Sequence, residues 1–502
     1  MQLDLQVIVQ VKPSRNRGIM LIHTKKIIPL MGISTLIVQC TGGERQHSDK
    51  NSEKPNIILC MADDQGWGDM GYNGHPILKT PNFDSMASSG LRFDRFYAAA
   101  PVSSPTRGSV LTGRNPNRFG CFSWGHTLRP QEITVAEALK TAGYVTGHFG
   151  KWHLGPVRKN SPVNPGNSGF DHWFSAPNFF DNDPILSREG KAVQTYGESS
   201  MVTADAALDF IRSQTDKNKP FLAVVWFGSP HNPYLAMDND REFYTGEEEK
   251  MQHYLGEITG MDRAVGKIRE ELKTLGISGK TILWFCSDNG GLAEFSSTGG
   301  RGVKGQIYEG GLRVPAIIEW PDRIPKNRIS DFPSFTSDIY PTLLEIAGVT
   351  MEDQTPLDGM SLLPLIDNKI RIRDKPMGFW QFPARGKIVP SAKLMAELLK
   401  EQEEGVNEVD DSLLDMDAGE IKILYKEDLF SGHSAWLDWP YKLHRIDSEN
   451  SEPLFELYNL ETDPGEMNDL SASKPEKVVS MKKGIEAWLK SVVNSLNGGD
   501  YK

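Results

Sequence analysis

Asp63-Asp64 follows directly on an apolar run at residues 57–62, and Asp288-Asn289 follows another, at residues 281–286, after Ser287. Three carboxylates and an amide oxygen are hard donors, which suit Ca2+ or Mg2+ rather than Zn2+ with its preference for imidazole and thiolate. One acidic pair at a strand end is ordinary turn chemistry. Two pairs at the ends of two buried strands point to a single crevice, because groups just beyond the carboxyl ends of neighbouring strands converge in an open α/β sheet. A second cluster runs Ser103-Ser104-Pro105-Thr106-Arg107-Gly108, with Leu111-Thr112-Gly113-Arg114 behind it. Pro105 suits the first turn of a helix, so Ser103 lies at a helix N-terminus, where backbone N–H groups and the dipole favour an anion. Arg107, one turn on, adds a fixed positive charge. A third cluster, Gly150-Lys151-Trp152-His153, puts a cation and a titratable base two residues apart, on one side of a strand by alternation. Pro230-His231-Asn232-Pro233 and Arg301-Gly302-Val303-Lys304-Gly305 place another His and another Lys in loops. Taken singly, each His or Lys is compatible with a structural role.

The elements that must position these groups are legible in the hydrophobic pattern. Residues 57–62, 221–227, 281–286 and 314–320 are nearly continuous apolar runs, as expected for strands buried on both faces. Leu255, Ile258, Met261, Val265, Ile268, Leu272 and Leu275 recur at steps of three and four, and Gly276 follows as a stop, which predicts a long amphipathic helix. Thr134-x-x-Glu137 is a capping box that starts a helix ending by Gly143, with a strand from Tyr144. Alternation of strands and helices predicts an α/β fold, a large central mixed sheet sandwiched by helices. Past about residue 350 the pattern shifts to short strands near 376–382, 434–437, 441–446 and 454–460. Residues 391–404 look helical and lead into an acidic stretch that ends near Glu420 and reads as a solvated face. The expectation there is a smaller C-terminal α+β domain, an antiparallel sheet plus helix, over 351–502, with the catalytic domain at 55–350.

The chain has 502 residues, with 55 Lys and Arg against 66 Asp and Glu, a net charge of −11. That balance argues against a broad nucleic-acid surface, so an anionic ligand must meet a local cluster of cations. Four Cys are too few for a disulfide scaffold. Cys60 and Cys286 fall in apolar runs and are expected to be buried thiols, and Cys121 has no evident partner. Residues 27–38 form an apolar run behind Lys25 and Lys26, too short to span a bilayer and laid out like a secretory signal. Residues 1–42 are thus expected to be an export segment and 43–54 a tether, with Met20 as an alternative start. Cys40 resembles the lipid-modified Cys of bacterial lipoproteins, although Gln39 stands where that motif has a small residue. Plain cleavage after Gly42 is the alternative. The expected location is the periplasm or, with a lipid anchor at Cys40 as the sole membrane contact, the outer-membrane or cell surface.

With these motifs in order, the chain resembles the type I sulfatases of the alkaline phosphatase superfamily. The resemblance rests on Pro55-Asn56-Ile57 through Asp63-Asp64, the S-x-P-T-R…L-T-G-R signature from Ser103, and the G-Y-x-T…G-K-W-H-L-G signature from Gly143. It continues through Pro230-His231, Ser287-Asp288-Asn289-Gly290, Glu309-Gly310-Gly311-Leu312-Arg313, Asp338-Ile339-Tyr340-Pro341-Thr342 and Leu457-Tyr458-Asn459-Leu460. The resemblance implies that Ser103 is converted to formylglycine, the aldehyde whose hydrate attacks sulfur. A serine at this position, where most relatives have Cys, implies a serine-type radical S-adenosylmethionine maturase and a bacterial host. It implies one Ca2+ bound by Asp63, Asp64, Ser103, Asp288 and Asn289, and sulfate-site cations and acid–base groups at Arg107, Lys151, His153, His231 and Lys304. The implied substrate is a sulfated carbohydrate, from a glycosaminoglycan or another polysaccharide, with no nucleic-acid partner. Residues 178–183 and 432–436, including His433, are candidates to line the sugar subsite. The rival readings are a two-zinc phosphohydrolase of the same superfamily, which would call for several His ligands, and an unmatured, inactive sulfate-binding homologue.

Overall fold

The computed structural model describes residues 54–406, 410–448 and 451–501. The export segment, Met20, Cys40 and the tether up to residue 53 lie outside the described residues. Eleven strands build the large sheet: β1 (Asn56–Ala62), β2 (Leu91–Tyr97), β3 (Val145–Lys151), β4 (His172–Ala176), β5 (Ile185–Arg188), β6 (Lys191–Gln194), β7 (Phe221–Trp226), β8 (Thr281–Ser287), β9 (Arg313–Glu319), β10 (Arg328–Ser330) and β11 (Ser334–Phe335). Their order is β10-β2-β9-β8-β1-β7-β3-β4-β5-β6, with β11 also on β2. The centre, β8-β1-β7-β3-β4, is parallel, while β9 is antiparallel to both β8 and β2.

Strand β1 shows why its residues are almost all apolar. Side chains alternate between faces: Ile57, Leu59 and Met61 enter one core, and Ile58, Cys60 and Ala62 enter the other. The helix Glu249–Thr274 covers the second face through Leu255, Ile258, Met261, Val265, Ile268 and Leu272, the spacing read from the sequence. The Thr134 capping box is formed, with Thr134 N–H donating to Glu137 Oε2 at 2.8 Å and Glu137 N–H to Thr134 Oγ1 at 3.2 Å.

The smaller sheet, β12 (Met377–Gln381), β13 (His433–Asp438), β14 (Tyr441–Ser448) and β15 (Ser451–Asn459), is antiparallel in chain order. One face, with Met377, Phe379, Ala435 and Leu437, shares a core with Tyr97, Leu312 and Phe335 of the large-sheet region. The other face, with Trp380, Leu443 and Leu457, is covered by Ile485, Trp488, Leu489 and Val492 of the helix Pro475–Leu496. Cys60, Cys121 and Cys286 are buried free thiols, and burial pushes each of them up from its ordinary pKa. No helix among the described residues is long and apolar enough to cross a membrane.

Candidate active site

Parallel pairing of β1 and β8 sets Ala62 opposite Ser287, so the next residues on each chain, Asp63 and Asp288, leave the sheet side by side. Asp64 turns at once, with φ 66. Its N–H donates to Asp288 Oδ1 at 3.1 Å, and Asn289 Nδ2 donates to its Oδ1 at 2.8 Å. Asp63, Asp64, Asp288 and Asn289 are all buried. The helix Ser103–Thr112, buried along its whole length, brings in Ser103 at its first position with Pro105 in the first turn. Ser103 Oγ lies 3.1 Å from Asp63 Oδ1 and 3.4 Å from Asn289 Oδ1.

Three cations close around these carboxylates. Arg107 spans Asp288 Oδ2 with Nε at 3.2 Å and Nη2 at 2.7 Å, and its guanidinium lies 5.1 Å from the Trp226 ring centroid. Lys151, at the end of β3, donates from Nζ to Asp63 Oδ2 at 2.6 Å and sits 3.4 Å from Ser103 Oγ. Lys304 Nζ donates to Asp64 Oδ2 at 2.5 Å. Its loop is pinned by Lys304 N–H on Gly291 O and Gly305 N–H on Pro101 O. His231, after β7, is 3.4 Å from Lys304 Nζ and 3.6 Å from Asp64 Oδ2 through Nε2. Its Nδ1 lies 2.5 Å from Asn232 O, a partner that can only accept. Nδ1 therefore carries the hydrogen and Nε2 is bare. Phe179 stacks on this imidazole, centroids 4.0 Å apart. Lys304 and His231 are the partly exposed edge of an otherwise buried cluster.

The charges follow from burial and neighbours. Burial alone would raise Asp63 and Asp64, but Lys151 for the first and Lys304 for the second outweigh it and hold both below the ordinary carboxylate range. Asp288 is raised, by burial and by the facing Asp63 carboxylate, against the pull of Arg107. Burial lowers Lys151 in spite of Asp63. Burial works against Lys304 too, yet Asp64 prevails and raises it. His153 is pushed well below its ordinary value by burial and by Lys151 and Arg107, and His231 is lowered, chiefly by burial. Both imidazoles are thereby biased to the neutral form.

The structure brings together every residue singled out for the site, with one change of geometry. Strand β3 ends at Lys151, and His153 lies beyond it with φ 55. A left-handed turn, and not strand alternation, sets His153 beside the cluster, buried and with both ring nitrogens unbonded. For a metal, Asp63, Asp64 and His231 offer ligand atoms within 4.8 Å of one another. Asp288 is spent in part on Arg107. Among the described residues this group holds a single His, which does not match a two-zinc site. Trp226 beneath Arg107 was not singled out; the pattern marked it only as core. Of the subsite candidates, Asn178 donates to Val389 O at 3.1 Å and Phe179 lies on His231. Trp436 instead packs near Trp488, centroids 5.8 Å apart, in the core behind the small sheet. His433 bonds His444 at 2.9 Å, which in turn bonds Glu466. Trp436 is thus a core contact of the small sheet, whereas His433 also meets Tyr308, four residues past Lys304, with ring centroids 5.1 Å apart.

Residues 55–349 match the family described as Sulfatase. N-acetylgalactosamine-6-sulfatase of Canis lupus familiaris is 35% identical over 369 residues, 66% of this chain and 69% of that protein. Arylsulfatase G of Rattus norvegicus is 30% identical over 381 residues, 64% of this chain and 70% of that protein. Among solved structures, Ps i-CgsB in complex with k-i-k-neocarrahexaose is 25% identical and aligns with a TM-score of 0.73 over 87% of this chain and 93% of its own. The fold, the convergent cluster and these similarities agree: the chain belongs to the sulfatase family, on the alkaline phosphatase superfamily fold, and is a sulfuric ester hydrolase.

Proposed function

We propose that the protein hydrolyses sulfate monoesters of a sulfated carbohydrate, derived from a glycosaminoglycan or another polysaccharide, after conversion of Ser103 to formylglycine by a serine-type radical S-adenosylmethionine maturase. The observation that carries the reading is the convergence on Ser103 Oγ of Asp63, Asn289 and Lys151, all within 3.4 Å. Similarity to an enzyme named for an amino-sugar sulfate and to a structure holding an oligosaccharide supports the substrate class.

The donor set fits one Ca2+. Asp63, Asp64, Asp288, Asn289 and position 103 present oxygen donors in a buried pocket, and three carboxylates there offset three cations, so an added divalent ion leaves the cluster positive towards an anionic ester. Bound metal supplies charge against the sulfuryl oxygens, and a hydrated aldehyde supplies two hydroxyls on one carbon, one to attack and one to release sulfate. The protein's own groups do the rest. Lys151 bridges Asp63 and position 103 and fixes the attacking oxygen. Arg107 holds Asp288 in place. His153, neutral and unbonded, is available to take a proton from a hydroxyl at position 103. Lys304 keeps its proton because of Asp64, and its contact with the bare Nε2 of His231 gives a pair able to protonate the leaving alcohol.

In the same reading the chain is exported through residues 1–42, either to the periplasm after cleavage past Gly42 or to the outer-membrane or cell surface with a lipid at Cys40. The test is sulfate release from defined sulfated sugars, with Ca2+, by protein co-produced with such a maturase. Ser103→Ala should lose at least about 10³-fold in kcat/KM without a change in melting temperature. Persistent hydrolysis by that variant, or release of phosphate in preference to sulfate, would overturn the reading.

A further inference from the structure

A cavity of about 240 Å³ opens beside the cluster. It touches the cluster at two points. His153 forms part of its wall, 4% exposed and with neither ring nitrogen bonded. Gly125, also in the wall, donates its N–H to Ser104 Oγ at 2.8 Å, next to Ser103. The remaining wall comes mainly from residues 155–158 and from the segment that contains the helix Ser391–Glu403. Val157, Pro177, Val389, Leu394, Met395 and Leu398 make it largely aliphatic. The buried guanidinium of Arg158 is already held by Glu401, at 2.6 and 3.0 Å. Lys387, which is exposed, and Asp415 bring one charge of each sign.

We propose that this cavity receives the uncharged portion of the sulfated sugar, an acylamino substituent with its methyl group, and discriminates against a substrate carrying a second sulfate or a carboxylate there. The proposal rests on the sulfatase reading of the adjacent cluster. An acylamino methyl group gains from burial against aliphatic side chains. A second anion would lose its water against the same wall with Arg158 already neutralised, and specificity by an unpaired buried charge is the stronger form of discrimination. Lys387 and Asp415 add a small polar part to a wall that is mostly aliphatic, as expected where a ligand is oriented by few polar groups.

The experiment compares kcat/KM for an N-acetylhexosamine monosulfate, the matched sugar with N-sulfate in place of N-acetyl, and 4-nitrophenyl sulfate, which reports the catalytic cluster alone. Wild type should favour the N-acetyl sugar by about tenfold or more. Leu394→Trp, which fills the cavity, should cost about tenfold on that sugar and leave aryl sulfate within about twofold. Glu401→Gln, which keeps the shape but frees Arg158, should narrow the preference between the two sugars by about tenfold at unchanged aryl sulfate turnover. Equal use of both sugars by wild type, or variants that leave the ratio unmoved, overturn the subsite. Failure of the catalytic reading is distinct, because it appears as loss of aryl sulfate hydrolysis in the wild type itself.

Discussion

Lys151 and Lys304 are both ammonium groups set against a carboxylate, and their surroundings divide the labour between them. Lys151 is fully buried, and burial lowers it. Lys304, at the open edge, is raised by Asp64. The first is suited to hold an oxygen at position 103, the second to keep a proton until an alcohol leaves. Lys304→Ala should therefore cost about 10²- to 10⁴-fold on a sugar sulfate. The loss should be much smaller on 4-nitrophenyl sulfate, whose phenolate leaves without a proton. Equal losses on the two substrates would assign Lys304 to sulfate binding instead. The carboxylates call for a second test at this scale. Removal of divalent ions with a chelator should abolish sulfate release, and Ca2+ alone should restore it; full activity in metal-free enzyme would remove the ion from the account.

At the scale of elements, the site depends on strands that end in register. Gly150 pairs with Trp226 across β3 and β7. It has φ +95, and a Cβ there would lie 1.9 Å from Trp226 O. Gly150→Ala should thus push apart the strand end that carries Lys151 and the indole beneath Arg107, costing at least about 2 kcal/mol in denaturant unfolding. A change under about 0.5 kcal/mol would show that the strands tolerate the shift. Much of this layer was readable from residues. The central strands appeared as unbroken apolar runs because both faces are buried, and the Thr134 capping box is a local pattern that its own helix satisfies. Other parts were not. The left-handed turn at His153, two residues past Lys151, breaks the period-two alternation of strand β3. Phe179 on His231 joins residues 52 positions apart, and no local signal encodes that contact. The helix Pro475–Leu496 did carry a signal, since Met481, Ile485, Trp488, Leu489, Val492 and Leu496 recur at steps of three and four.

At the scale of the molecule, the region around the signature helix and the C-terminal helix are tied by buried ions. Arg118 Nε and Nη2 reach Asp358 at 2.7 and 2.9 Å, and Trp488 Nε1 donates to the same carboxylate at 2.9 Å. Burial opposes the charge on Asp358, but Arg118 prevails and draws its pKa down to about 2. The folded value lies below the ordinary one of about 3.9, so the unfolded chain binds more protons between them. This stability is present above about pH 4 and is lost as the pH falls towards 2, on the order of 2 kcal/mol. Asp358→Asn should be less stable than wild type at pH 7, with the gap closing by that order as the pH falls to about 2. A gap independent of pH would show that the pair is not ionic. The proposed hydrolysis passes through a converted residue at position 103, and that conversion changes the mass of its peptide. Peptide mass spectrometry of batches matured to different extents should show the Ser103 peptide lighter by two hydrogens, with sulfate release proportional to the converted fraction. Full sulfate release from protein whose Ser103 is intact would contradict it.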